Sequence, residues 1–128
     1  MKYYFAKEID ATFDEAIEKV TAVLKEKGFG VLTEIDVKAT LKSKIDVDFH
    51  PYTILGACNP SFAYKALQAE NKIGTMLPCN VIVQQTEGGR VEVAAIDPAA
   101  SMQAVENSAL EDVAGNVRAL LQSVIDEL

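Results

Sequence analysis

Val81-Ile82-Val83-Gln84-Gln85, then Glu87-Gly88-Gly89-Arg90, then Val91-Glu92-Val93-Ala94-Ala95-Ile96: two β-branched runs flank a glycine-bearing turn. That pattern predicts a β-hairpin, and a hairpin makes its two strands antiparallel neighbours. Upstream, Tyr52–Cys58 is short and apolar and reads as a largely buried strand. Phe29–Ile35, entered through Gly30, and the aromatic-rich Lys2–Ile9 read as two more. Asp46–Pro51 is read as a connection.

Helices alternate with these strands. Thr12-Phe13-Asp14-Glu15 is a capping box, in which the Thr12 hydroxyl accepts from the Glu15 N–H while the Glu15 carboxylate reaches back. Phe13, Ala16, Ile17, Val20, Val23 and Leu24 follow at helical spacing, and Gly28 stands where a left-handed residue would end the helix. Val37, Leu41 and Ile45 predict a short helix capped by Asp36. Asn59-Pro60 starts a third, because Asn caps and Pro lacks an N–H that would be unpaired at the first turn anyway. Phe62, Ala63, Ala66 and Leu67 form its apolar side, and it is expected to end near Asn71–Gly74. Asp97-Pro98 repeats the device before a turn carrying Met102 and Val105. Ser108-Ala109-Leu110-Glu111 reads as a second capping box after a break near Asn107, and the stripe Leu110, Val113, Val117, Leu120, Leu121, Val124, Leu128 runs to the end.

The order is β-α-β-α-β-α-β-β-α, which predicts an α+β fold with helices packed on one face of a mainly antiparallel sheet. A doubly wound parallel sheet is the alternative, but no G-x-G-x-x-G follows a strand and no phosphate loop occurs. At 128 residues the chain is expected to be a single domain, 1–128, able to bury roughly two-thirds of its unfolded surface without a metal or disulfide staple.

Net charge is −7, and it is uneven. Residues 1–72 carry 10 basic and 11 acidic side chains, while residues 73–128 carry 2 and 8. Nucleic-acid binding rests on neutralising phosphates, so no nucleic-acid partner is expected, and no polybasic membrane anchor either. Lys2, Lys7 and Glu8 break any apolar leader, and no run approaches the ~20 apolar residues of a membrane span. The expected location is the cytoplasm, where Cys58 and Cys79 would stay reduced.

The unusual feature is a repeated Cys-Asn. Gly56-Ala57-Cys58-Asn59-Pro60 ends one strand, and Leu77-Pro78-Cys79-Asn80 leads into the next. If those strands are antiparallel neighbours, both thiols lie at one edge of the sheet. Cys58 also precedes a helix N-terminus, which favours a thiolate. A reversible dithiol, half of a metal site completed across a dimer, or a cradle for a soft or thiol-reactive ligand all follow. The plain alternative is that each cysteine packs as a small hydrophobe, with Asn59 a cap and Asn80 satisfying backbone at the start of a strand. The missing C-x-x-C weighs against a thioredoxin-like enzyme, and two cysteines make no four-thiolate zinc site.

Other polar residues offer less. Glu34 and Asp36 stand two apart around a strand end and Asp97 at another; gathered there they would suit acid–base work, whereas capping and exposure explain them equally. Tyr3, Tyr4, Tyr52 and Tyr64 could line a pocket or pack at sheet edges. His50, the single histidine, reads as a loop residue, and no Cys-His pair has independent support.

Gly28-Phe29-Gly30-Val31, Glu34-Ile35-Asp36, Ile54-Leu55-Gly56-Ala57-Cys58-Asn59-Pro60, Leu77-Pro78-Cys79-Asn80 and Asp97-Pro98 resemble the bacterial and archaeal family called domain of unknown function 302. The resemblance implies an α+β homodimer and no particular activity. It points to Glu34, Cys58, Asn59, Pro60, Pro78, Cys79, Asp97 and Pro98. The candidate ligand site is therefore Cys58, Asn59, Cys79, Asn80, Glu34, Asp97 and Tyr52, with no metal-ligand set and no cofactor assigned. Without a complete catalytic set, a binding or sensing module for a small molecule or soft metal ranks ahead of a thiol enzyme. An interaction protein using the wide C-terminal stripe ranks third.

Overall fold

The computed structural model describes residues 2–128. Five strands, β1 (Tyr4–Ile9), β2 (Gly30–Asp36), β3 (Tyr52–Cys58), β4 (Cys79–Gln85) and β5 (Val91–Ile96), form one sheet in the order β1-β5-β4-β3-β2. Every neighbouring pair is antiparallel, so the fold is α+β as the hairpin required. The helices are α1 (Phe13–Glu26), α2 (Val37–Ile45), α3 (Pro60–Ala69), α4 (Pro98–Ser101) and α5 (Ser108–Asp126).

The local signals that place α1 are present as read. Thr12 Oγ1 accepts from Glu15 N–H at 3.1 Å, and Glu15 Oε1 accepts from Thr12 N–H at 3.0 Å. These bonds, the backbone one foremost, hold the Glu15 carboxyl below its ordinary pKa. Gly28 follows at φ +87°, a left-handed conformation that glycine adopts without a Cβ penalty. Asp36 and Asn59 cap α2 and α3. Several boundaries differ from the sequence reading: β1 begins at Tyr4 rather than Lys2, and β2 runs Gly30–Asp36 rather than Phe29–Ile35. The α3 helix stops at Ala69, and a 3₁₀ turn at Ile73–Met76 covers the rest of the segment. The β4 strand begins at Cys79 rather than Val81. The cap of α5 is Asn107, whose Oδ1 accepts from Ala109 N–H at 3.0 Å, so the Ser108 box does not form.

One face of the sheet carries the core. Leu24, Val20 and Ala16 from α1 and Leu121, Val124 and Ile125 from α5 close over Leu55, Val81, Val83, Val91 and Val93. The C-terminal stripe is thus covered by the chain's own sheet and is not a free interaction surface. Alternation along the strands sends the intervening residues to the opposite face. There the register runs an apolar row across all five strands, Ile35–Ile54–Ile82–Ala94–Ala6. No helix of the core layer covers it. The nine-residue α2 buries none of its residues, and Leu32, Ile35, Ile45, Val47 and Phe49 beside it are exposed.

Gly56 shows how tightly β3 is held between its neighbours. A Cβ there would overlap Thr33 Oγ1 and stand 2.8 Å from the Pro78 ring carbon Cγ. The threonine rotates, but the proline ring does not yield. Gly56→Ala should cost about 1–3 kcal/mol, measured by urea unfolding. Gly30→Ala, where a Cβ meets nothing within 4 Å, is the control expected to stay near zero.

Candidate functional site

The β3–β4 register pairs Ala57 with Cys79, which puts Cys58 one step along the neighbouring strand. For antiparallel neighbours that diagonal offset corresponds to a Cα separation of ~6 Å. Both residues border one small cavity of ≈ 40 Å³, together with Asn59, Phe62, Pro78 and Met102, but alternation from the Ala57–Cys79 pair turns the Cys58 side chain toward the sheet face opposite Cys79. The remaining walls of the cavity are apolar: Phe29 behind, Leu77 beside Pro78, and Val113 and Val117 of α5. The cavity lies where the end of β3, the start of β4 and the N-terminus of α3 meet.

Each wall has a local cause. Asn59 Oδ1 accepts from Phe62 N–H at 3.3 Å, which starts α3 directly after Cys58. Its amide nitrogen also packs on Gly28; a Cβ at that glycine would come within 3.1 Å of Asn59 Nδ2. Asp97 is 8% exposed and caps α4, accepting from Ala99 N–H at 3.0 Å. Its second oxygen accepts from Arg118 Nε at 3.1 Å, and the Arg118 guanidinium lies 5.2 Å from the centre of the Phe5 ring. Asp97 is therefore engaged on both oxygens. It holds Pro98, a cavity-lining residue, and does not present a carboxylate to the cavity.

The cysteines are both free and half-buried. Burial, with Cys58 beside it, pushes the Cys79 thiol up from 9.0 to about 11. The neutral thiol is the form the fold prefers. The native state then holds this proton more tightly than the unfolded chain, so its contribution is complete below pH 9 and fades as pH rises through 11. Unfolding free energy should fall by about 2–3 kcal/mol over that interval, and Cys79→Ala should lose this part of the slope. Denaturant melts at pH 8.5 and 10.5 check it.

Not all the sequence candidates meet here. Cys58, Asn59 and Cys79 do. Asn80, next to Cys79 along β4, pairs with Gly56 on the opposite face. Tyr52 starts β3, ~20 Å of strand from Cys58. Glu34 is exposed on β2, and Asp36, though two residues on, is committed to Ala39 N–H at 2.9 Å. No acid–base pair forms from these carboxylates. Sequence reasoning left out Met102, Phe29 and Phe62; the Asp97-Pro98 cap that turns the chain back over the cavity was the available signal for Met102.

Tyr52 and Asn80 belong instead to a shallow concavity of ≈ 400 Å³ on the open face, shared with Tyr3, Tyr4, Ile82 and Ile96. His50 is not a free loop residue. Its Nε2 donates to Gln84 Oε1 at 2.9 Å, and Gln84 Nε2 donates to Glu92 Oε1 at 2.9 Å. The Tyr52 hydroxyl is pushed up by burial first, then by Tyr3 and Glu92 nearby.

An antiparallel sheet with helices on one face and two free cysteines at one end defines an α+β protein with a small apolar cavity bordered by both cysteines. Residues 5–128 match the family described as Domain of unknown function DUF302, and the chain belongs to that family. It is similar to the crystal structure of an uncharacterized conserved DUF302 protein from Bacillus stearothermophilus, with 29% identity, a TM-score of 0.91 and 98% of each chain covered. Among curated proteins nothing matches. Among the described residues no helix is long and apolar enough to cross a membrane.

Proposed function

We propose that the protein is a small cytosolic homodimeric module that binds or senses a ligand through Cys58 and Cys79. One observation carries the reading: two cysteines distant in sequence border the same cavity at a helix N-terminus. The ≈ 40 Å³ of space favours a compact soft ligand, or a thiol-reactive group reached from the rim, over a drug-sized molecule. A binder of the native state must raise its apparent stability, by about 2.7 kcal/mol at a hundredfold excess over Kd. A thermal-shift screen with soft metal ions, trivalent arsenicals, haem and small thiols tests this. A shift of several degrees in the native protein, absent from the Cys58→Ser/Cys79→Ser variant, is expected. No shift with any of them would overturn it.

The homodimer is supported by the open face. Five strands ~4.8 Å apart and ~20 Å long present ~500 Å² in projection, before corrugation and before α2 is added. That is the scale of the ~800 Å² per partner in a stable complex. A nine-residue helix with nothing buried is also marginal alone, since short helices draw their stability from packing. A second copy laid on this face leaves both small cavities, on the other side of the sheet, open to ligand.

A further inference from the structure

We propose that the ≈ 400 Å³ concavity on the open face of the sheet binds an organic cation, an ammonium group carried on an apolar body. It shares no residue with the small cavity bordered by Cys58 and Cys79, so it stands whether or not those cysteines take a ligand.

Alternation builds the site. Tyr52, Gln84 and Glu92 stand abreast on β3, β4 and β5. Two residues along, Ile82 pairs with Ala94, and two further on Ile96 pairs with Tyr4. Residues two apart along a strand share a face, so these rows form one surface. Ala94, with Ala6 beside it on β1, keeps the middle of that surface low. Tyr52 stands at one end of the hollow and Tyr3 and Tyr4 at the other. The result has aromatic walls, an apolar floor and the volume of an ordinary small-molecule site.

The lining selects the charge. Tyrosine rings attract a cation to their faces, and three of them border this hollow. Tyr3 and Tyr4 meet edge to face, with ring centroids 5.1 Å apart and planes at 74°. Among the described residues Glu92 is the only member of the lining charged at neutral pH, and it is half-buried. Gln84 holds it in place. His50 Nε2 donates to Gln84 Oε1 at 2.9 Å, which turns the Gln84 amide nitrogen to Glu92 Oε1, also at 2.9 Å. Among the described residues no lysine, arginine or histidine forms an ion pair with Glu92. Directly opposite it on β1 stands Glu8, whose carboxylate meets Arg90 only at 3.9 Å. Like charges facing each other across two strands are unfavourable, and a cation in the hollow relieves that repulsion. An anion there would meet Glu92 with no cationic side chain in the lining to offset it. The chain's own Lys2 ammonium already stands 5.9 Å from the centre of the Tyr4 ring, at the rim. Tyr52, Gln84 and Glu92 also have an ordinary role as cross-strand neighbours, and the experiment separates the two roles.

The chain has no tryptophan and four tyrosines, three of which line the concavity, so its intrinsic fluorescence reads the site. The full-length protein is titrated with benzyltrimethylammonium, and with benzyl alcohol and phenylacetate as its neutral and anionic counterparts. A second copy on the open face would contact the same residues, so the protein is kept dilute enough to favour the single chain. The ammonium should quench saturably in the millimolar range or tighter, with the alcohol and the carboxylate at least about tenfold weaker. Glu92→Gln keeps the shape of the side chain and its bond from Gln84; it should weaken the ammonium about tenfold and leave the alcohol unchanged. Tyr52→Leu should weaken the ammonium about fivefold, while Tyr52→Phe, which keeps the ring, stays within about twofold of the parent. Lys2→Ala removes the competing ammonium and should bind the probe at least as tightly. Melting temperatures within a few degrees of the parent show that each variant folds, and the comparison of the three probes needs no variant at all. No saturable quenching by the ammonium, phenylacetate binding as tightly, or Glu92→Gln binding the ammonium like the parent overturns the proposal. Weaker binding in Lys2→Ala overturns it too.

Discussion

Leu121→Ala should lower the unfolding free energy by about 3–4 kcal/mol and the melting temperature by roughly 10 °C. Leu121 is 0% exposed and sits at the centre of the helix layer, among Val124 and Ile125 of α5 and the valines of β4 and β5. The cost has two parts, the lost transfer of the side chain from water and the cavity left among neighbours that cannot close over it. Leu120, one residue earlier and only half-buried, is the control; Leu120→Ala should cost about 1 kcal/mol. The contrast separates a helix that belongs to the core from one that waits for a partner. If α5 were an interaction element, both substitutions would leave stability nearly unchanged and alter assembly. Truncation after Glu106 should leave a chain that does not fold, because it uncovers the helix side of the sheet.

Ile82→Lys should have the second large effect, on assembly rather than on stability. Ile82 lies in the middle of the open face, between Ile54 and Ala94 in the register. A lysine there reaches solvent in a monomer at little cost. Between two sheets it would bury an unpaired ammonium, which costs several kcal/mol at each of two symmetric positions. Sedimentation should show a dimer for the native chain and a monomer for the variant, with unchanged far-UV circular dichroism. A native chain that sediments as a monomer removes this face as an interface. Loss of secondary structure in the variant would instead mark Ile82 as part of the core.

What could be read from the sequence was what is decided within a few residues. The Thr12 box, the Gly28 stop, the Asn59-Pro60 and Asp97-Pro98 starts and the hairpin at Glu87–Arg90 each depend on a short stretch. The antiparallel β3–β4 relation, which the sequence left as a condition, brings Cys58 and Cys79 to one end of the sheet. The errors came from parity. With β4 begun at Val81, Cys79 and Asn80 lay outside any strand and were grouped as one site. With β4 begun at Cys79, alternation sends the two side chains to opposite faces, and Asn80 leaves the pocket. Tyr52 was lost for the same kind of reason, since its distance along β3 is invisible until the site is fixed at the other end. The exposure of α2 was also beyond the sequence. Val37, Leu41 and Ile45 have helical spacing, but spacing says nothing of whether the chain supplies a surface to cover them.

The most direct test of the account is iodoacetamide labelling of the folded protein with and without a trivalent arsenical, followed by peptide mapping. The account predicts that Cys58 and Cys79 both label in the free protein and that the arsenical protects them. Thiols that label only after unfolding, or at rates the arsenical leaves unchanged, would contradict it.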